Sequence, residues 1–145
     1  IRSNLDPFNK FNDEELWSAI DKANLKSFIL DLDSKIIASS SSLSLGQKQM
    51  FCVARAIISN AKIIVLDEAT ANMDNETQTL VNKSIRDNFS GCTVLTIAHR
   101  LENIIESDKI LVMDRGEVRE YANPEQLLKN KESYFSKMVQ KTLNY

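Results

Sequence analysis

Asp67 and Glu68 stand side by side directly after the β-branched run Ile63-Ile64-Val65-Leu66. A run of that kind reads as a strand buried on both faces. Two carboxylates at the carboxyl end of a parallel strand lie where α/β folds bind their ligands. There, one carboxylate can hold Mg²⁺, usually through water, and its neighbour can orient or deprotonate an attacking water, which is the chemistry of nucleotide hydrolysis. Asp67 suits the first role and Glu68 the second. An acidic pair can also simply end a strand and open a loop, so its meaning depends on what else the fold brings to the same edge. His99, the single histidine, follows a second strand-like run, Thr93 to Ala98. One helix separates it from the acidic pair, and a right-handed β-α-β crossover delivers both to one sheet edge. A solitary histidine is more often structural than catalytic, but this position beside two carboxylates favours the functional reading. A third group, Leu43-Ser44-Leu45-Gly46-Gln47, opens a helix with a serine and a glycine. The N-terminus of such a helix offers free N–H groups and a positive dipole end to a phosphate, although an ordinary capped helix reads the same way.

The elements that must position these residues follow from hydrophobic spacing. Leu16, Ile20 and Ala23, then Leu25, Phe28, Ile29 and Leu32, predict an amphipathic helix from Asp13 to about Leu32. Ile36 to Ser42 leads through the serines 39 to 42, a polar loop ending in a helix cap. The helix that begins near Leu43 to Gly46 carries Met50, Ala54, Ile57, Ile58 and Ala61 on one stripe, and Ser59-Asn60 ends it. A further helix is expected over Glu76 to Asn88, with a third strand over Lys109 to Met113. Asp114-Arg115-Gly116 reads as a hairpin turn into Glu117 to Tyr121, and Asn123-Pro124-Glu125 as a helix start. This alternation implies an α/β fold with a parallel sheet flanked by helices. Residues 1–60 are read as a helical portion, 61–122 as the α/β core and 123–145 as a helical tail.

Composition narrows the function classes. With 145 residues, 43% of them hydrophobic and 26% charged, the chain can bury a real core. A net charge of -2, without a lysine- or arginine-rich run, speaks against nucleic acid as a partner. Cys52 and Cys92 stand far apart, without a histidine at metal-ligand spacing, and suggest neither a disulfide framework nor a zinc site. The apolar runs fall short of the roughly 20 residues a spanning helix needs, so any membrane attachment is expected outside this segment. The sequence starts at Ile1-Arg2-Ser3 without an initiator methionine, and is expected to be part of a longer chain.

These residues together resemble those of the ATP-binding-cassette (ABC) ATPases. Leu43 to Gln47 resembles the family's signature sequence, and Ile63 to Glu68 its Walker B strand with the following catalytic glutamate. Ala71-Asn72-Met73-Asp74 looks like the D-loop and His99 like the switch histidine. The motifs occur in the family's order and spacing over essentially the whole chain. Asn4 to Phe8 and Asp67 to Asp74 are similar to the second nucleotide-binding domain of multidrug-resistance-protein-like exporters of subfamily C. The resemblance implies a P-loop NTPase core, incomplete at its N-terminus, with part of a helical subdomain. It also implies two half-sites. Ser44, Gly46 and Gln47 would touch the γ-phosphate of an ATP held by a second nucleotide-binding domain. Asp67, as ligand to Mg²⁺, with Glu68 and His99 as catalytic groups, would serve an ATP bound by this domain. Asp74 would lie at the interface of the two domains, and the helices of residues 13 to 32 would face the transmembrane domains of an exporter of small molecules. The chain would then work at the cytoplasmic face of a membrane.

Two departures stand out: Leu45 occupies a position where the signature usually has glycine, and serines 39 and 40 stand where related exporters often have glycines. The only glycines are Gly46, Gly91 and Gly116, so the Walker A pattern is not in this sequence. The resemblance places that loop, the Q-loop glutamine and the adenine-stacking aromatic upstream, and the chain by itself is expected to be inactive. Two other classes share part of the pattern. An ATPase head of the chromosome-maintenance type would add heptad arms and a basic surface, which this sequence lacks. A noncatalytic, nucleotide-dependent dimerisation module would lack the carboxylate that Glu68 supplies.

Overall fold

Helix ends in this chain are written in side chains that compete for backbone hydrogen bonds, and asparagine is used at both ends. The computed structural model describes residues 1–35, 43–69, 73–97, 101 and 104–143. Along the chain these form α1 (Arg2–Leu5), α2 (Asp13–Lys22), α3 (Leu45–Ile58), β1 (Ile63–Asp67), α4 (Asn75–Phe89), β2 (Thr93–Ile97), β3 (Ile110–Asp114), β4 (Glu117–Ala122), α5 (Pro124–Lys129) and α6 (Tyr134–Leu143). Two compact units result, Ile1–Leu95 and Thr96–Tyr145. The serine tract expected to be a loop, Ser39 to Ser42, lies outside the described residues.

In the first unit, Asn12 and Glu15 close a reciprocal capping box at the start of α2. The helix stops at Lys22, ten residues short of the Leu32 suggested by apolar spacing. Asn24 causes the stop: it adopts a left-handed φ of 54°. Its N–H donates to the Asp21 carbonyl at 2.9 Å, and the Leu25 N–H donates to the Ile20 carbonyl at 2.9 Å, the Schellman pattern. Leu25, Ile29 and Leu32 are still buried, but from turns, and Phe28 is exposed. The apolar spacing continued because the returning turns cover the same core.

Helix α3 ends by the same device, as Ser59-Asn60 predicted. Asn60 has a φ of 49°, and the N–H groups of Asn60 and Ala61 reach the carbonyls of Ile57 and Ala56. Its buried face is broader than the expected stripe: Phe51 and Val53 join Met50 and Ala54, while Ile57, Ile58 and Ala61 are half-buried. This face packs against α2 and α4, and the core gathers Leu16, Ile20, Phe51, Ala54, Val81 and Phe89 among others.

β1 and β2 pair in parallel, with α4 as their crossover. The expectation that these strands are buried on both faces does not hold among the described residues. Ile64 is buried and Leu66 half-buried, but Ile63 and Val65 are 65% and 61% exposed, and every residue of β2 is exposed. An unbroken apolar run states that both faces prefer cover; it does not supply the element that covers them.

In the second unit, β3 and β4 form the predicted antiparallel hairpin, from Ile110 opposite Ala122 to Asp114 opposite Glu117, with a register shift between Val112 and Met113. Arg115 and Gly116, with φ of 52° and 80°, make the two-residue turn, whose positive φ values match the twist of the strands. Ile110 and Val112 pack with Leu127 and Phe135 from α5 and α6. Asn123 caps α5 with Pro124 in its first turn, as read from the sequence. At α6 the Ser133 hydroxyl accepts from the Ser136 N–H at 2.9 Å. The Glu120 carboxylate, reaching over from β4, accepts from the N–H groups of Tyr134 at 2.7 Å and Phe135 at 3.1 Å. A carboxylate at a helix N-terminus gains both the bonds and the dipole. Glu120→Ala is therefore expected to speed amide hydrogen exchange at Tyr134 and Phe135 by about tenfold or more, the scale of a charge-assisted hydrogen bond. The Asn123-capped amide of Gln126 should not change.

Candidate functional site

The first turn of α3 is organised around Ser44. Its hydroxyl oxygen accepts from the Gln47 N–H at 3.2 Å, and the Gln47 side-chain carbonyl accepts from the Ser44 N–H at 2.9 Å. The Lys48 N–H reaches the Ser44 carbonyl. A helix leaves its first N–H groups without intrahelical acceptors, so those of Leu45 and Gly46 remain at the positive end of the dipole. Each of the two side chains expected to meet a phosphate thus holds the backbone N–H of the other residue. Leu45, at the position where glycine is usual, is 45% exposed, whereas Gly46 is buried.

Asp67 is the last residue of β1, and Glu68 follows with a left-handed φ of 47°. Few residues other than glycine adopt that conformation, and it turns the chain sharply out of the strand. Both residues are exposed. Since β1 and β2 run in parallel around α4, their carboxyl ends share one edge. β2 ends at Ile97, and His99 lies outside the described residues. A cleft of about 810 Å³ opens along β1, with Ile63, Val65, Asp67, Ala69, Phe8 and Arg55 among its lining residues. Among the described residues no three His, Cys, Asp or Glu groups converge as a metal cage. Mg²⁺ does not require one, because it is usually held by one or two carboxylates with substrate phosphates and water. An exposed Asp67 carboxylate at the strand's end fits that donor set.

Of the D-loop-like stretch, Ala71 and Asn72 lie outside the described residues, and Met73 and Asp74 lie within them. Asp74 is the N-cap of α4: its carboxylate accepts from the Thr77 N–H at 2.8 Å and the Thr77 hydroxyl at 2.7 Å. The Thr77 N–H, and after it the Thr77 hydroxyl, hold the Asp74 carboxyl below the usual carboxylate range. A depressed value of this kind keeps the cap intact at neutral pH and loses it as the pH falls through that lowered value. Thr77 was not singled out from sequence, although an aspartate three residues before a threonine at a helix start signals this cap. The first turns of α3 and α4 meet, Gly46 against Thr77. Ser44, Gly46, Gln47 and Asp74 consequently share one neighbourhood, while Asp67 and Glu68 belong to the strand edge.

The model of the ABC transporter family matches residues 2–71. The chain is 54% identical over 144 residues to human ATP-binding cassette sub-family C member 4, covering 97% of this chain and 11% of that protein. It is 50% identical over 139 residues to rat ATP-binding cassette sub-family C member 2, covering 93% of this chain and 9% of that protein. It is 43% identical over 143 residues to ABC transporter C family member 7 of Arabidopsis thaliana, covering 96% and 10% respectively. The chain therefore spans about a tenth of the length of these relatives. With its motifs, its helix and strand order and these matches in agreement, the chain belongs to the ABC transporter family, with relatives in subfamily C.

Proposed function

We propose that this chain is part of an ATP-hydrolysing nucleotide-binding domain of a membrane exporter, and that it contributes to two ATP half-sites. The observation that carries this reading is the position of Asp67 and Glu68 at the carboxyl end of β1, with Glu68 turned out of the strand by its left-handed backbone. In this reading Glu68 orients or deprotonates the attacking water, His99 assists at the γ-phosphate, and Asp67 binds Mg²⁺ with the nucleotide. Mg²⁺ when bound neutralises charge on the β- and γ-phosphates. The first turn of α3, with Ser44, Gly46 and Gln47, meets the γ-phosphate of an ATP held by a second nucleotide-binding domain, and Asp74 lies between the two domains.

Residues 1–60 would then be the helical subdomain portion, 61–122 the ATPase core portion and 123–145 the tail. The open face of β1 and β2 would receive the Walker A-bearing part of the same domain, so the chain alone would not hydrolyse ATP. Among the described residues no helix is long and apolar enough to cross a membrane. Transmembrane domains of the same protein would carry the small-molecule substrate, and the ATPase would sit at the cytoplasmic face. No observation favours the chromosome-maintenance or noncatalytic readings.

In the full-length protein, Glu68→Gln is expected to lower ATP turnover by roughly 10²–10⁴-fold, the range for losing a general base. Unchanged turnover would remove Glu68 from the mechanism. Ser44→Ala is expected to loosen the first turn of α3 by about 1 kcal/mol, the usual cost of losing such a cap, read as faster hydrogen exchange at the Gln47 amide.

A further inference from the structure

Gly46 lies where a side chain would collide. A Cβ built on it falls 2.2 Å from the Thr77 Cγ2, with the Thr77 Cβ at 3.6 Å and the Ser44 hydroxyl oxygen at 3.8 Å. A methyl at the end of a side chain can often swing aside. In threonine, however, one torsion moves Oγ1 and Cγ2 together, and here Oγ1 donates to Asp74 at 2.7 Å. Turning the methyl away from Gly46 would carry the hydroxyl off the carboxylate it holds. The bare face of Gly46 and the Asp74–Thr77 cap are therefore one steric arrangement, built from the first turns of two different helices.

We propose that Thr77 is a positioning residue: seated in the gap left by Gly46, it ties the start of α3 to Asp74 so that the two segments move together. The proposal rests on the reading above, in which both segments serve ATP. It adds a second reason for glycine at position 46, beyond any approach to a phosphate. It also explains why Leu45 and Gly46 are not equivalent here: the Leu45 side chain has open space, and a side chain at 46 would not.

The two reasons for Gly46 separate with Thr77→Ser, which removes Cγ2 and keeps both the hydroxyl and the N–H that bind Asp74. In the full-length protein, ATP turnover and hydrogen exchange at the Thr77 amide are measured for the wild type, Gly46→Ala, Thr77→Ser and the double variant, with Glu68→Gln as a control. Gly46→Ala is expected to speed Thr77 exchange and to lower kcat by about tenfold or more, the scale of an ångström-sized misplacement. The double variant should return exchange at residue 77 to within about twofold of Thr77→Ser alone, since groups in contact are non-additive, while its turnover stays lowered by whatever the methyl added at position 46 costs at the phosphate. If Thr77 exchange in Gly46→Ala equals that of the wild type, or exchange at residue 77 in the double variant is no slower than in Gly46→Ala, the coupling is refuted and glycine acts only toward the nucleotide. The exchange reading does not depend on hydrolysis. Unchanged turnover in Glu68→Gln would therefore sink the ATPase reading while the exchange pattern still decides the coupling.

Discussion

Helix α3 is buried along most of its length while Ser44 and Leu45 at its start stay exposed. Met50, Phe51, Val53 and Ala54 go into the core between α2 and α4. Truncating a buried aromatic such as Phe51 costs about 3–5 kcal/mol in general, against about 1 kcal/mol for a cap. The core therefore holds the helix, and the weaker polar contacts decide where it begins and ends. Ser44 and Gln47 set the start, and Asn60 sets the stop. The first turn is fixed in direction by a buried body behind it, and its N–H groups are presented without help from the residues around a ligand.

The same division of labour operates at α4. Val81, Ile85 and Phe89 bury one side of the helix, and Asp74 with Thr77 closes its N-terminus. Because Gly46 has no side chain, these two helix starts approach each other closely. A close approach of this kind ties the position of one helix start to that of the other without any charge passing between them. In the second unit, the Glu120 carboxylate links the β3–β4 hairpin to α6 by an equivalent use of a helix N-terminus.

Most element starts and stops were legible in the residues. Ser44, Asn60, the Asp114-Arg115-Gly116 turn and Asn123-Pro124 each act as local geometry requires, and local geometry is what sequence encodes most directly. Apolar spacing alone runs on past the end of α2, whereas Asn24, with its left-handed φ, ends the helix. The burial of β1 and β2 could not be read. Ile63, Val65, Leu95 and Ile97 have the composition of covered strands and are exposed among the described residues; whether a strand face is covered depends on segments other than the strand, and no property of the strand itself reports it.

The candidate site divides in the same way. Sequence by itself determined the acidic pair after a strand, the serine and glycine at a helix start and the aspartate before α4, because each is a matter of residue type at a helix or strand end. Tertiary structure alone decided that Gly46 meets Thr77 and that β1 and β2 keep exposed faces. The first of these pairs residues 31 positions apart, and only the packing of α3 on α4 brings them within reach.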